Sequence, residues 1–127
     1  QNMVHTDGFE LPQEQKIDHI SLADRADVFV IAPATANIIA KIAHGICDDL
    51  LTTVVCATQA PVVIAPAMNV HMWDNPITQE NVSKLKKLGY YFVDPESGDL
   101  ACGYTGKGRL AEGKKILKAI HEILPQK

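Results

Sequence analysis

Two stretches of this chain are apolar without interruption, and the other elements arrange themselves around them. Val28-Phe29-Val30-Ile31-Ala32 and Pro61-Val62-Val63-Ile64-Ala65 do not alternate with polar residues and are rich in β-branched side chains. Strands buried on both faces have that pattern. Pro33 closes the first run and Pro66 the second. Between them the period lengthens to that of helices. Thr35 stands where it can cap a helix over residues 36–46, with Gly45 marking its end. A second helix is predicted over 49–57, and a third follows Thr78 and runs to about Leu88, where Gly89 stops it. Residues 90–93 form a third, shorter strand. The last helix, 112–124, places Ile116, Leu117, Ile120, Ile123 and Leu124 on one broad face. Upstream, Ile17, Ile20 and Leu22 have near-helical spacing within 16–25, while residues 1–15, with Gly8 and Pro12, read as an irregular lead-in. Residues 68–76 read as a loop. The Gly-rich stretch 97–108 cannot pack a core of its own.

Helices alternating with apolar strands imply a parallel sheet in a doubly wound, Rossmann-like α/β layout. At 127 residues the chain is read as one domain, 1–127, large enough to bury a core without staples. A net charge of -3 gives no reason to expect nucleic acid, which demands a clustered basic surface. No apolar run approaches the roughly 18 residues of a membrane span, and residues 1–10 contain no apolar signal-peptide core. The three cysteines, Cys47, Cys56 and Cys102, have no CxxC spacing. That argues against a disulfide framework and a zinc site, and fits a reducing cytoplasm. Cys47 and Cys56 lie in helical, apolar stretches and read as small hydrophobes.

Ligands of an open parallel sheet bind outside the carboxyl ends of its strands. Two segments of similar design are expected there: Ala32-Pro33-Ala34-Thr35-Ala36-Asn37 and Ala65-Pro66-Ala67-Met68-Asn69. Small residues let the backbone approach a flat ligand closely, and proline stiffens the turn. Thr35 and Asn37 can donate to ligand oxygens at a helix N-terminus, which favours negative charge; equally, Thr35 can simply cap its helix. Asn69 is either a turn residue satisfying nearby backbone or a ligand-holding amide. His19, flanked by Ile17 and Ile20, is by default a half-buried helix histidine, and otherwise a base able to work near neutral pH. Cys102 lies between glycines and close to Lys107 and Arg109, so its loop is either an ordinary surface loop or a lid for an anionic substrate.

Taken together, Pro33-Ala34-Thr35-Ala36-Asn37, Gly45-Ile46-Cys47-Asp48-Asp49-Leu50-Leu51, Pro66-Ala67-Met68-Asn69 with Met72-Trp73, and Ala101-Cys102-Gly103 with Gly106 and Gly108 resemble the homo-oligomeric flavin-containing Cys decarboxylases. The resemblance runs from about His19 to Leu124. Within that family it is to the members acting on phosphopantothenoylcysteine in coenzyme A synthesis. It implies that His19 is the base, that Asn69 holds the substrate, and that Cys102 belongs to a clamp and donates the final proton. It puts Met68, Ala101 and Gly103 beside the substrate, and Thr35, Ala36, Asn37, Ile38 and Ala67 against FMN. The implied chemistry is redox-assisted: the substrate thiol is oxidised to a thioaldehyde, whose C=S group accepts the electrons released as carbon dioxide leaves. The resulting ene-thiolate is then reduced. Trimers with FMN between neighbours, assembled into dodecamers, are also implied.

The family's domain opens with a strand, a Gly-rich turn, a helix and a strand before the point corresponding to Gln1, about 60 residues in two such units. The resemblance therefore implies an incomplete sheet and an incomplete flavin phosphate site in this stretch alone, with FMN held weakly or with help from neighbouring subunits. Two other readings belong to the same family. One is a decarboxylase of peptides ending in cysteine, as in lantibiotic maturation; the other is a non-catalytic phosphatase-binding subunit. The joint presence of His19, Asn69 and Cys102 favours catalysis, and the Ala-Cys-Gly clamp favours the coenzyme A substrate.

Overall fold

The two apolar runs pair with each other in parallel and make the middle of a sheet. The computed structural model describes residues 3–6, 26–97 and 107–124. In it β2 (Val28–Ala34) lies beside β3 (Val62–Pro66), with Phe29 opposite Val62 and Ile31 opposite Ile64. β1 (Met3–Thr6) adds to the outer side of β2, and β4 (Tyr91–Phe92) to the outer side of β3. The order is β1-β2-β3-β4 and every pairing is parallel. Parallel neighbours need crossovers, and helices supply them: α1 (Ala36–Ala43), α2 (Leu50–Ala57), the short α3 (Val70–Asp74) and α4 (Pro76–Lys87).

Side-chain alternation explains why the strands read as unbroken apolar runs. Phe29, Ile31, Val62 and Ile64 join Ile39 of α1, Leu51, Val54 and Val55 of α2, and Val82 and Leu85 of α4 in one cluster. Val28, Val30 and Val63 point the other way, onto Ile120 and Leu124 at the end of α5 (Gly113–Ile123). Both faces of the sheet are covered, so neither can be polar. The doubly wound α/β expectation holds.

Several local expectations need correction. Residues 3–6, read as irregular, form β1; the run is short and mixed in character, and its partner is a strand edge that local pattern cannot reveal. α1 stops at Ala43 rather than residue 46, because His44 caps it and Gly45 turns the chain at φ +69. The segment 68–76 contains α3, and α4 begins at Pro76, two residues before Thr78. Asn75 caps it with proline in the first turn, where its missing N–H costs nothing. Cys47 and Cys56 are exposed, not core residues, and Cys47 lies beyond the helix end. The helix expected over 16–25 lies outside the described residues. Among the described residues no helix is long and apolar enough to cross a membrane.

The flanks of the Gly-rich stretch form a small antiparallel pair, β5 (Glu96–Ser97) with β6 (Lys107–Arg109). Glu96 ties this pair to α5. Its Oε2 accepts from the Glu112 backbone N–H at 3.0 Å and faces Lys115 Nζ at 3.1 Å. Glu112, the helix's own N-cap residue, makes no side-chain cap, so Glu96 supplies from outside what the sequence of α5 lacks. The Glu112 amide first, then Lys115, hold the Glu96 carboxyl below its ordinary value of 4.5. A carboxyl depressed in the folded state contributes stability that is present above its unfolded value and lost as pH falls through the folded one. Urea-unfolding midpoints of Glu96→Gln should therefore fall less steeply than those of the parent as pH drops below 4.5. Parallel pH profiles for the two proteins would remove Glu96 from this role.

Candidate functional site

At the carboxyl edge of the sheet, two turns leave β2 and β3 side by side. Ala34 and Pro66 are partners in the β2–β3 register, and the Ala67 N–H donates to the Ala34 carbonyl at 3.0 Å. Pairing therefore continues past the end of β3 and fixes the distance between the turns. Thr35 is extended at φ -81, ψ 164, and its Oγ1 accepts from the Ile38 N–H at 3.2 Å. The first rung of α1 runs from the Ile39 N–H to the Thr35 carbonyl at 3.0 Å. The N–H groups of Ala36 and Asn37 thus precede the helix's own ladder and lie at its positive end.

On the neighbouring turn, the Met68 N–H donates to the Gly108 carbonyl at 2.8 Å. The successive amides of Ala67 and Met68 are therefore committed to opposite flanks, one to the end of β2 and one to β6. Asn69 follows and is exposed. Its Oδ1 accepts from the His71 N–H at 2.7 Å and so starts α3. Using the oxygen in this way leaves the Nδ2 hydrogens as the donors that the amide offers outward. Thr35 is alike: its cap consumes a lone pair and leaves the hydroxyl hydrogen.

The structure therefore brings Thr35, Ala36, Asn37 and Ile38 beside Ala67, Met68 and Asn69. Both bland readings hold in part, since Thr35 caps α1 and Asn69 satisfies nearby backbone, yet each keeps a donor. His19, Ala101, Cys102 and Gly103 lie outside the described residues. The acidic pair after Gly45 has structural partners: Asp48 bonds Lys41 Nζ at 2.9 and 3.1 Å, and Asp49 forms a reciprocal cap with Thr52 at the start of α2. The bond from Lys41 holds the Asp48 carboxyl below its usual range. Sequence reasoning missed the contact of Gly108 with this edge; its only sign was the alternation of glycines at 106 and 108.

A family model described as Flavoprotein matches residues 1–124. The coenzyme A biosynthesis bifunctional protein CoaBC of Bacillus subtilis is 55% identical over 115 residues, covering 91% of this chain and 28% of the relative. The probable phosphopantothenoylcysteine decarboxylase of Streptococcus mutans is 45% identical over 125 residues, 97% of this chain and 70% of its own length. Among solved structures, a cysteine-to-serine variant of PPC decarboxylase complexed with pantothenoylaminoethenethiol superposes with a TM-score of 0.76 at 39% identity, covering 85% of this chain and 59% of that one. An FMN-dependent cysteine decarboxylase, SpaF, superposes with a TM-score of 0.69 at 44% identity, covering 83% and 57%.

Proposed function

This chain belongs to the flavoprotein family, and on that premise we propose that it forms most of the catalytic domain of an FMN-dependent decarboxylase. The reaction converts 4'-phosphopantothenoylcysteine to 4'-phosphopantetheine, a cytoplasmic step of coenzyme A synthesis. One observation carries the reading: Asn69, its oxygen taken by the His71 N–H at 2.7 Å, offers an amide donor beside the Thr35 turn. A donor in that place suits a substrate carboxylate.

The sheet edge fits a planar ring bearing an anionic tail. Ala36 and Ala67 present small, half-buried side chains, while Thr35 and the first amides of α1 present donors. In this reading Thr35, Ala36, Asn37, Ile38 and Ala67 hold FMN. When bound, it supplies the two-electron oxidation of the substrate thiol and the later reduction. Asn69 Nδ2 donates to the carboxylate and orients it, with Met68, Ala101 and Gly103 beside it. His19 takes a proton as the C–S unit becomes a thioaldehyde. The bond to the carboxylate then breaks, carbon dioxide leaves, and its electron pair passes through the C=S group onto sulfur. Cys102 Sγ gives the proton that completes the product. The assembly is a trimer, grouped into dodecamers, with neighbours completing each flavin site.

The full-length protein should purify with a bound-flavin absorption band and turn over phosphopantothenoylcysteine in preference to a peptide ending in cysteine. His19→Asn should lower thiol oxidation by at least about 100-fold, the ordinary worth of a positioned base, without changing the mass of the assembly. Parent-like oxidation by that variant would refute the base role; preference for the peptide would refute the substrate.

A further inference from the structure

We propose that Gly108 is a positioning residue for Asn69: the bare backbone at 108 lets β6 lie against the Met68–Asn69 peptide and thereby sets where the Asn69 amide stands. The inference rests on the proposed role of Asn69 as the carboxylate-holding group. A Cβ placed on Gly108 would fall far inside contact distance of the Met68 carbonyl oxygen, with Val70 N at 3.3 Å and the Asn69 carbonyl carbon at 3.5 Å. All three atoms are main chain, so no side chain can swing aside to relieve the overlap. All three also belong to the stretch centred on Asn69. Among the described glycines, only Gly45 and Gly89 have positive φ, so the demand at 108 is for space and not for an unusual backbone conformation.

An added methyl group has few ways out. β6 cannot retreat freely, because it pairs with β5, and Glu96 of β5 is fastened to the Glu112 amide at 3.0 Å and to Lys115 at 3.1 Å. The Met68 N–H bond to the Gly108 carbonyl at 2.8 Å holds the two backbones at this separation. On its other flank the same turn is bonded through the Ala67 N–H to Ala34 at 3.0 Å. The displacement therefore goes into the Met68–Asn69 peptide. The Asn69 side chain moves with it, since the Asn69 Cα is one end of that peptide, and the bond from its oxygen to the His71 N–H at 2.7 Å is strained in turn. A shift of about 1 Å in a positioning group can cost about 100-fold in rate.

The test compares two ligands of the full-length, flavin-loaded protein: phosphopantothenoylcysteine, which carries the carboxylate, and 4'-phosphopantetheine, which lacks it. Gly108→Ala should raise KM for the first, or lower its kcat/KM, by about 10-fold or more. Affinity for the second should stay within about twofold, and the flavin spectrum should be unchanged. Gly113→Ala, at a glycine with nothing within 4 Å of the added carbon, is the control and should match the parent. Should Gly108→Ala fail to fold, replacing Met68 by its α-hydroxy acid deletes the N–H donor and adds no bulk. It should show the same selective loss at about 3-fold or more, the equivalent of a modest hydrogen bond. Equal losses for both ligands, or none, in the variant that folds would overturn the proposal. A parent protein that does not distinguish the two ligands overturns the substrate reading and this inference with it. A parent that distinguishes them, beside a Gly108→Ala that does so equally well, overturns this inference alone.

Discussion

Asn69→Asp should lower kcat/KM for phosphopantothenoylcysteine by about 1,000-fold or more while leaving the melting temperature nearly unchanged. Aspartate is as good an N-cap as asparagine, so its carboxylate can still accept from the His71 N–H, now at 2.7 Å from the Asn69 oxygen. The fold therefore has no reason to change. What disappears is the Nδ2 donor, a hydrogen bond to a charged group worth about 1.5–3 kcal/mol. A negative charge then faces the substrate carboxylate. Two like charges about 4 Å apart near a protein surface repel by about 4 kcal/mol. Even half of that repulsion, added to the lost bond, accounts for about 1,000-fold. Asn69→Ala should behave in the opposite proportion, with a smaller kinetic loss but about 1 kcal/mol of lost stability from the missing cap. Steady-state kinetics and thermal unfolding of both variants check this, and an Asn69→Asp protein with parent-like kcat/KM would remove the amide from the site.

Ile64→Ala should destabilise the fold by about 3–4 kcal/mol, within the usual range for truncating a buried isoleucine. Ile64 has no exposed surface and sits in β3, which pairs with β2 on one side and β4 on the other. Its side chain lies in the larger cluster beside Phe29, Ile31 and Val62. Neighbours held by two ladders cannot collapse into the space left behind, so most of the cavity persists. Ile77→Ala is the contrast: Ile77 is 70% exposed on α4, and its loss should change stability by no more than about 0.5 kcal/mol. Urea unfolding of the two variants measures the difference. A loss under about 1 kcal/mol at Ile64 would contradict its place in the core.

The centre of the fold was legible because burial on both faces leaves a mark in a strand's own residues. Val28–Ala32 could be read without knowing its partners, and so could the caps at Thr35, Gly45 and Gly89. What escaped was whatever depends on a distant neighbour. β1 exists because the outer edge of β2 accepts it, and Met3-Val4-His5-Thr6 has no pattern of its own to announce that. α3 has too few residues to show a period, and the residue that starts it, Asn69, had an equally good reading as a turn. Glu96 caps a helix from sixteen positions before its N-cap residue, Glu112, and Gly108 answers to the Met68 carbonyl; neither demand is written in the flanking sequence. In the candidate site, the residue types at Thr35 and Asn69 were legible as donors at a sheet edge. His19 and Cys102, outside the described residues, stand on the family resemblance alone.

α5 has two tasks that local inspection would assign to separate parts of the molecule. Ile120 and Leu124 roof the second side of the sheet, while the start of the same helix is the post to which Glu96 moors the β5–β6 pair. β6 in turn bears on the turn that carries Asn69. Loosening the roof thus reaches the far rim through main-chain links, and a substitution under α5 can blunt the site without altering any atom that lines it.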